Sequence, residues 1–342
     1  DASGLAVLDP ITGAVDTSWK AKIERIDSSG NRPVVRALVV APDGIYAAGN
    51  FNRVTGGTWG RITVTRAVKL NLTNGNPIQS WKPSPNGLVV DMDVTPANDR
   101  IYLAGYFSAL AGDTNKGYFA AVDTGTGQPI PGQLPFQPSV GSTAKYQQTV
   151  LVEGDNVYVG GSEHDIQKYR MSDNALVRSH ITKQGGDAQA MIKLENEIYV
   201  GCHCFNAVYS DTNDFKDLSG FSRLDPMRAA GAFSASDFSY RASWVPGNLK
   251  GSKDEGPWDF DTTPDKCLYM AGDFVRGAYS GDAARDWLGG FAKFCPDDST
   301  PPTAPSNVSV NLDTTTATIT FTPGSDQSGS VQNWVYKDDR VI

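Results

Sequence analysis

The chain of 342 residues has no apolar stretch of about 20 residues, so the sequence predicts no membrane span. It also lacks an excess of basic residues, since 30 Lys and Arg stand against 38 Asp and Glu, for a formal net charge of −8. A nucleic-acid-binding surface needs a basic footprint, so no nucleic-acid partner is expected. No secretory leader is recognisable either. Asp1 directly precedes a strand-like run, which we interpret as a mature or trimmed terminus.

Histidine and cysteine are scarce, with 3 and 4 residues, whereas 35 Gly and 20 Pro are present. A hydrophobic content of 39% suffices for a core, but the many turn residues divide that core into short pieces. This composition predicts an all-β fold of short strands. The length exceeds the usual domain size of about 150 residues, so we expect one large domain followed by a small one.

One hairpin pattern recurs five times along the chain. Each copy has a strand of alternating apolar residues, a polar turn with Asp, Asn or Gly, and a strand ending in Tyr-x-x-Gly or a variant. Alternation with period two predicts strands with one buried face, and the turn residues suit tight hairpins. The copies occupy 34–51, 89–107, 147–163, 188–204 and 258–274.

A second motif lies between these hairpins and predicts the outer strand pair of a propeller blade. Its fullest form is Leu-Asp-x-x-Thr-Gly followed by Trp, and Gly13 precedes Trp19 by the same spacing as Gly75 precedes Trp81. The copies occupy 4–19, 67–81, 118–134, 166–180 and 221–226. Each hairpin with its outer pair leaves room for four short strands, the size of one blade.

The phase of the repeat bears on the number of blades. Residues 4–20 form an outer pair with no inner hairpin before it, whereas five inner hairpins follow. We therefore predict that residues 1–296 form a β-propeller of six blades, one of them incomplete in this chain and completed by residues before Asp1 or by another chain. A five-blade ring is the alternative. An open ring would leave an unpaired strand edge, which proteins avoid.

The last part of the chain predicts a second domain. Residues 297–306 are rich in proline and are interpreted as a linker. Alternating segments follow, with Trp334 on the third, an order typical of the beginning of an immunoglobulin-like sandwich. Residues 307–342 are therefore predicted to form a truncated sandwich, a partial fibronectin type III-like domain.

The Tyr-x-x-Gly-x-Phe hairpins and the Leu-Asp-x-x-Thr-Gly…Trp segments resemble the delta-60 repeat β-propeller family of bacterial extracellular proteins over residues 1–296. The stretch from GSEH to GCHC is similar to actinobacterial members in particular. The resemblance implies a secreted or surface-attached protein in which fibronectin type III modules follow the propeller. It implies no catalytic residues, because the family has none assigned. Similar modules in phage minor tail proteins keep a phage virion as the alternative setting.

The third and fourth hairpins depart from the repeat, because Glu163 and Cys204 replace the phenylalanine that ends the other three. All three histidines of the chain lie in these two repeats. Successive strands of a blade run antiparallel, so the end of the second strand, the end of the fourth strand and the start of the first strand of the next blade share one rim. The three histidines are therefore predicted to lie on this rim, over blades three and four. The predicted ligand-binding residues are His164, His180, Asp187 and His203.

Two ligand classes and one structural role remain open for this rim. An organic ligand such as a glycan is one, and a metal ion such as zinc or calcium, held by His164, His180 and His203, is the other. The structural alternative is that these side chains only hydrogen-bond loop backbone. No other cofactor is expected.

The four cysteines predict disulfides. Cys267 and Cys295 lie at meeting ends of adjacent antiparallel strands, so a cross-strand disulfide is expected there, which favours an oxidising compartment. Cys202 and Cys204 face the same side of a strand. A disulfide between them is favoured, while metal ligation or simple burial remains open.

Two acidic pairs on first strands, Asp91/Asp93 and Asp259/Asp261, raise the possibility of calcium binding. Neither pair belongs to a D-x-[DN]-x-[DN]-G loop, so a solvated surface or turn capping is favoured. Asp91 and Asp259 occupy comparable positions, and both are expected to line the central channel.

These observations predict a non-catalytic binding, adhesion or structural module of a secreted, surface-assembled or phage-tail protein. Its partner is expected to be cell-envelope glycan or a protein. The alternative is a glycan hydrolase or lyase that uses the His-rich rim.

Overall fold

The computed structural model describes most of the chain, namely residues 4–26, 30, 32–57, 59–131, 145–162, 164–183, 185–204, 207–212, 220–246, 249–251, 253, 255–277, 286–296, 303–325, 335–337 and 340–341. The chain divides into two compact units. The first is Asp1–Phe260 with Ala271–Phe291, and the second is Asp261–Met270 with Ala292–Ile342.

The regular structure of the described residues consists of β-strands, apart from one short 3₁₀ helix at Thr114–Lys116. No helix among them is long and apolar enough to cross a bilayer. In chain order the strands are β1 (Lys22–Glu24), β2 (Val34–Ala41), β3 (Gly44–Asn50), β4 (Arg53–Gly56), β5 (Gly60–Thr63), β6 (Ala67–Leu70), β7 (Val89–Val94), β8 (Arg100–Gly105), β9 (Phe119–Asp123), β10 (Gln147–Glu153), β11 (Asn156–Gly161), β12 (Asp165–Arg170), β13 (Ala175–Thr182), β14 (Gly185–Leu194), β15 (Glu197–Cys204), β16 (Ala207–Ser210), β17 (Arg223–Pro226), β18 (Ala230–Ser234), β19 (Gly256–Thr262), β20 (Leu268–Asp273), β21 (Arg276–Gly277), β22 (Asp286–Trp287), β23 (Phe291–Phe294), β24 (Ser306–Leu312), β25 (Ala317–Thr322), β26 (Tyr336–Lys337) and β27 (Arg340–Val341).

Each of the five predicted inner hairpins begins an antiparallel sheet, which confirms the alternation seen in the sequence. These sheets are blade 1 (β2-β3-β6), blade 2 (β7-β8-β9), blade 3 (β10-β11-β12-β13), blade 4 (β14-β15-β18) and blade 5 (β19-β20-β23). The register places the motif tyrosine opposite the first strand, as in the pairs Val39–Tyr46 and Asp93–Tyr102. Between the second and third strands, blade 1 carries an extra hairpin, β4-β5, which pairs with β1.

The blades pack face to face in sequence order. The face of blade 1 that carries Ala37 and Tyr46 packs on the face of blade 2 that carries Leu103. The opposite face of blade 2, with Tyr102, packs on Val150 of blade 3. The first strands of neighbouring blades therefore lie side by side around one channel. This arrangement is that of a β-propeller.

The outer motif docks each blade on the next one. Lys82 is the residue after Trp81, and its backbone N donates to the Thr126 carbonyl oxygen at 3.0 Å in the outer turn of blade 2. Lys20 N repeats this contact with the Asn74 carbonyl oxygen at 3.2 Å. Residues 4–20 thus contact blade 1 in the same way as the outer motif of blade 1 contacts blade 2. This is the position expected for the outer strand pair of a preceding blade.

The fourth strand of most blades is reduced to one bridging residue after the turn. Isolated antiparallel bridges of this kind join Leu8–Val15, Leu70–Pro77, Val122–Pro129 and Phe233–Tyr240. Blade 3 differs, because its fourth strand β13 is complete and continues into β16 and β17, which gives a six-stranded sheet.

The predicted outer pair at 221–226 is wrong. Its strand β17 pairs with β16 at the edge of the blade 3 sheet, and the third strand of blade 4 is β18, which begins four residues after β17 ends. The turn after β18 has Phe238 at a left-handed φ of 59°, where the turns of blades 1 and 2 have Gly75 (φ 72°) and Gly127 (φ 73°). Since glycine is the residue expected at such a φ, the motif could not be recognised here.

The predicted C-terminal domain is described only in part. Strands β24 and β25 form an antiparallel hairpin in which Val310 pairs with Ile319, and β26 pairs with β27. Trp334, predicted on the third strand, and linker residues 297–302 lie outside the described residues. The immunoglobulin-like sandwich and the total number of blades stay predictions.

Candidate functional site

A polar cluster forms on the rim of blades 2 to 4, where second strands end and first strands begin. Tyr106 follows β8, Tyr146 precedes β10, and Asp187 lies near the start of β14. His164 follows β11, and His203 is next to the last residue of β15. Because neighbouring strands run antiparallel, these positions fall at the same ends of their sheets. With Gln148 added, these six residues are called the rim cluster below.

Two stacked tyrosines give the rim cluster a flat aromatic surface. The rings of Tyr106 and Tyr146 have centroids 4.2 Å apart and planes only 17° from parallel. Tyr106 remains 45% exposed, so the pair meets solvent. Burial, and then the charge of Asp187, raise the pKa of Tyr106. An amphipathic ring in this position can stack on an apolar ligand face while its hydroxyl stays hydrated.

Asp187 is held in place by two hydrogen bonds from blade 3. The Tyr146 hydroxyl donates to Asp187 Oδ2 at 2.8 Å, and Gln148 Nε2 donates to the same oxygen at 2.8 Å. Burial is the main cause that raises the pKa of Tyr146 far above its ordinary range, and the hydrogen bond to Asp187 adds to it. Tyr146 is therefore a neutral donor at physiological pH, and the carboxylate is the acceptor.

His164 and His203 complete the rim cluster. Burial lowers the pKa of His164, the negative charge of Asp187 opposes that shift, and His203 reinforces it. His164 also has a left-handed φ of 63°, and a Cβ at Gly186 would lie 2.3 Å from the His164 Cγ. A glycine is therefore required at position 186 for the imidazole to lie against β14.

His180 does not belong to the rim cluster. The side chain is fully buried, and its Nε2 lies 2.6 Å from the carbonyl oxygen of Phe238. The imidazole also packs on the rings of Phe233 and Phe238, with centroids 4.9 Å and 5.0 Å away. Burial lowers its pKa to about 4. The rim position expected for His180 is wrong, because the side chain points from β13 into the interface with blade 4.

The four cysteines are joined in two disulfides, Cys202–Cys204 and Cys267–Cys295, with Cα–Cα distances of 5.1 Å and 4.2 Å. Cys202 and Cys204 are buried on the face of β15 opposite to His203. Their sulfur atoms are therefore bonded to each other and turned away from the rim cluster, so they do not serve as metal ligands there.

The metal hypothesis finds no support in the part of the chain that the structure describes. No group of three or more His, Cys, Asp or Glu side chains is arranged there to hold a metal ion. Of the proposed ligands, His164 and His203 lie on the rim and His180 lies in the core.

The rim cluster adjoins the central channel, which has a volume of about 400 Å³. Gln148 belongs to both, and Arg36 lines the channel close enough to Tyr106 for its charge to oppose the raised pKa of that hydroxyl. Asp91 and Asp259 line the same channel. A ligand at the rim therefore meets a cationic side chain at the channel wall.

Asp91 and Asp93 have a structural role. Their Oδ2 atoms accept from Val150 N at 2.9 Å and from Val152 N at 2.7 Å, which ties β7 to the first strand of the next blade. Burial raises the pKa of Asp91 to about 7 and that of Asp93 to about 6. Both carboxyls are thus occupied by backbone amides, a role other than the calcium binding or solvated surface considered for them.

Three members of the rim cluster, Tyr106, Tyr146 and Gln148, were missed by the sequence reasoning. Tyr106 directly follows a Tyr-Leu-Ala-Gly motif, where the other hairpins have Asn50, Ser162, His203 or Asp273. An aromatic residue at an exposed position of a repeat was the available signal. Tyr146 and Gln148 carried no such signal, because only the packing of blades 2, 3 and 4 brings them to Asp187.

No protein-family model and no curated protein matches this chain. Solved structures similar to it include U3-55K, with 11% identity and a TM-score of 0.41 over 74% of this chain and 77% of that one. The WD40 repeats of RRP9 give 10% identity and a TM-score of 0.40, over 74% and 76%. The computationally designed Ika4 protein gives 12% identity and a TM-score of 0.35, over 52% and 91%.

Proposed function

We propose that the propeller is a non-catalytic binding module that binds a cell-envelope glycan at the rim cluster. The observation that carries this proposal is the half-exposed Tyr106–Tyr146 stack next to the hydrogen-bonded Asp187. The apolar C–H face of a sugar ring stacks on an aromatic face, and its hydroxyls bind the polar groups beside it. His164 and Asp187 supply such groups.

Preorganisation supports a binding role. The Asp187 carboxylate is fixed by two donors, and Tyr146 is fixed by its bond to Asp187 and by the Tyr106 ring. A site whose side chains are already ordered loses little conformational entropy when a ligand binds. The adjoining channel has a volume within the usual range for ligand pockets, about 300–1,000 Å³.

A glycan hydrolase or lyase is the second candidate, since Asp187 and His164 are near enough to influence each other electrostatically. Glycoside hydrolysis ordinarily needs two carboxyl groups on either side of the scissile bond. Of the described residues that form the rim cluster, Asp187 is the one carboxylate, and two donors already occupy its Oδ2. We therefore favour binding over catalysis.

We also propose an extracellular setting for the module, on a secreted or surface-attached protein of the delta-60 repeat type. The disulfides Cys202–Cys204 and Cys267–Cys295 support an oxidising compartment. The hairpin of β24 and β25 supports a fibronectin type III-like tail that begins after the linker. The outer pair at 4–20 supports a six-blade ring. A phage virion is the alternative setting for the same fold.

The test of glycan binding uses purified chain, an array of cell-envelope glycans and the variant Tyr106→Ala. Loss of a stacking aromatic face costs about 1 kcal/mol or more, so we expect binding to weaken about five- to tenfold. Trp287→Ala is the matched control, because Trp287 is 74% exposed and is not part of the rim cluster. Equal glycan affinity of the Tyr106→Ala and Trp287→Ala variants would contradict the proposal. Binding of a protein partner that depends on Tyr106 would contradict it as well.

A further inference from the structure

Blade 5 carries, on one face, the same side chains that other blades use to hold their neighbours. This face is defined by Asp261 on β19, Tyr269 on β20 and Lys293 on β23, and is called the docking face below. We infer that the docking face receives one further blade of the same repeat type. The inference is independent of glycan binding at the rim cluster.

The contact of blade 1 with blade 2 shows what a Tyr–Lys pair does in this fold. Lys69 Nζ lies 4.9 Å above the Tyr46 ring and donates to the Thr124 carbonyl oxygen at 2.8 Å. The Tyr46 hydroxyl donates to the same carbonyl at 3.1 Å. Thr124 belongs to the outer turn of blade 2. The turn covers the pair, so that Lys69 is only 4% exposed.

The contact of blade 3 with blade 4 repeats this arrangement with different residues. Lys168 Nζ lies 5.5 Å above the Tyr158 ring and donates to the Ser236 carbonyl oxygen at 2.9 Å. The Tyr158 hydroxyl donates to the Ala235 carbonyl oxygen at 3.2 Å. Lys168 is only 2% exposed. Two separate interfaces thus use a Tyr–Lys pair to hold the outer turn of the following blade.

Blade 5 has the pair but is not covered in the same way. Lys293 Nζ lies 5.2 Å above the Tyr269 ring and 3.8 Å from Asp265 Oδ2. The Lys293 side chain is nevertheless 43% exposed. A lysine that is ordered over a tyrosine ring and still open to solvent can donate to a turn carbonyl oxygen without rearrangement.

The acidic pair of blade 5 repeats a second interblade contact. In blade 2, Asp93 Oδ1 accepts from Val94 N at 2.8 Å, and its Oδ2 accepts from Val152 N of blade 3 at 2.7 Å. In blade 5, Asp261 Oδ1 accepts from Thr262 N at 2.7 Å. Asp261 is exposed, and no donor among the described residues reaches its Oδ2.

Asp259 makes the same local hydrogen bond, from Phe260 N at 2.9 Å, as Asp91 does from Met92 N at 2.8 Å. The hydrogen bonds that Asp91 and Asp93 accept from the next residue of their own strand are therefore repeated in β19. The bonds that Asp91 and Asp93 accept from the first strand of the following blade have no counterpart in the described part of the chain.

The chemistry of the occupant follows from these two contacts. It must offer backbone N–H groups two residues apart on an extended strand, as Val150 and Val152 do, and a turn carbonyl, as Thr124 does. A β-hairpin with an outer turn of this repeat supplies both. The occupant is thus a further blade of the same kind, contributed by polypeptide outside the described residues.

The experiment attaches a copy of residues 147–182, the blade 3 sequence, ahead of Asp1 of the full chain through a flexible Gly-Ser linker. Surface lysines are then acetylated and the sites quantified by mass spectrometry. We expect the acetylation rate of Lys293 to fall at least fivefold relative to the chain without the copy. Lys69 is the internal control, because it should stay protected wherever the propeller is folded.

The variant Asp261→Ala should restore at least half of the Lys293 labelling in the extended chain, whereas Asp313→Ala, an exposed aspartate of the C-terminal hairpin, should not. Unchanged Lys293 labelling in the extended chain would overturn the inference. Protection of Lys293 in the unextended chain that rises with protein concentration would also overturn it, because a second copy would then occupy the docking face.

Discussion

Blades 2 and 5 carry the same Asp-x-Asp sequence on their first strands, yet the two pairs are in different environments. Asp91 and Asp93 are half-buried and accept backbone amides of blade 3, and burial raises the pKa of each carboxyl. Asp259 and Asp261 each accept a hydrogen bond from the backbone N of the next residue, but both side chains are exposed to solvent. A carboxylate in this repeat therefore becomes structural only when a following strand covers it.

The largest effect is expected when both carboxylates of one pair are removed. Asp91→Ala with Asp93→Ala leaves Val150 N and Val152 N without acceptors, so the free energy of unfolding should fall by about 2–4 kcal/mol. The same double change at Asp259 and Asp261 should stay within about 0.5 kcal/mol, as is usual for surface positions. Urea unfolding at pH 5 measures both, and equal losses in the two doubles would contradict the comparison.

A smaller effect is expected from the lysines that dock the outer turns. Lys69→Met removes the charged donor to Thr124 and leaves the packing volume in place, which should cost about 1–2 kcal/mol. Lys293→Met should change the free energy of unfolding by less than about 0.5 kcal/mol, because Lys293 is exposed. Thermal unfolding of the two variants side by side measures the difference, and a larger loss from Lys293→Met would reverse the comparison.

The smallest effect concerns pH. The pKa of Asp91 is raised to about 7 and that of Asp93 to about 6, so the folded state binds protons more tightly than the unfolded chain. Stability contributed by these protons is present at low pH and is lost as pH rises through the folded pKa values. Between pH 6.5 and pH 7.5 the free energy of unfolding should fall by about 1 kcal/mol from this source.

The control for the pH effect separates the two acidic pairs. Asp91→Asn with Asp93→Asn should flatten the decline between pH 6.5 and pH 7.5, whereas Asp259→Asn with Asp261→Asn should leave it unchanged. Urea midpoints measured at half-unit steps of pH give the slope. A slope that persists in the first double variant would show that other groups cause it.

The rim cluster was predictable in part. His164, His203 and Asp187 could be assigned to one rim because strand direction alone places the ends of second strands beside the starts of first strands. His180 could not be assigned correctly, since it depends on which face of β13 meets the phenylalanines of blade 4. The Tyr106–Tyr146 stack joins two blades, and no local pattern encodes a contact between blades.

The sequence by itself determined the repeat, the five inner hairpins and the pairing of Cys267 with Cys295. Alternation with period two and turn chemistry are local properties, and they act before any blade meets another. Only the tertiary structure decided which polar side chains are buried, because burial depends on the neighbour. Asp93 and Asp261 occupy equivalent places in the repeat, and the presence of blade 3 beside one of them makes it structural.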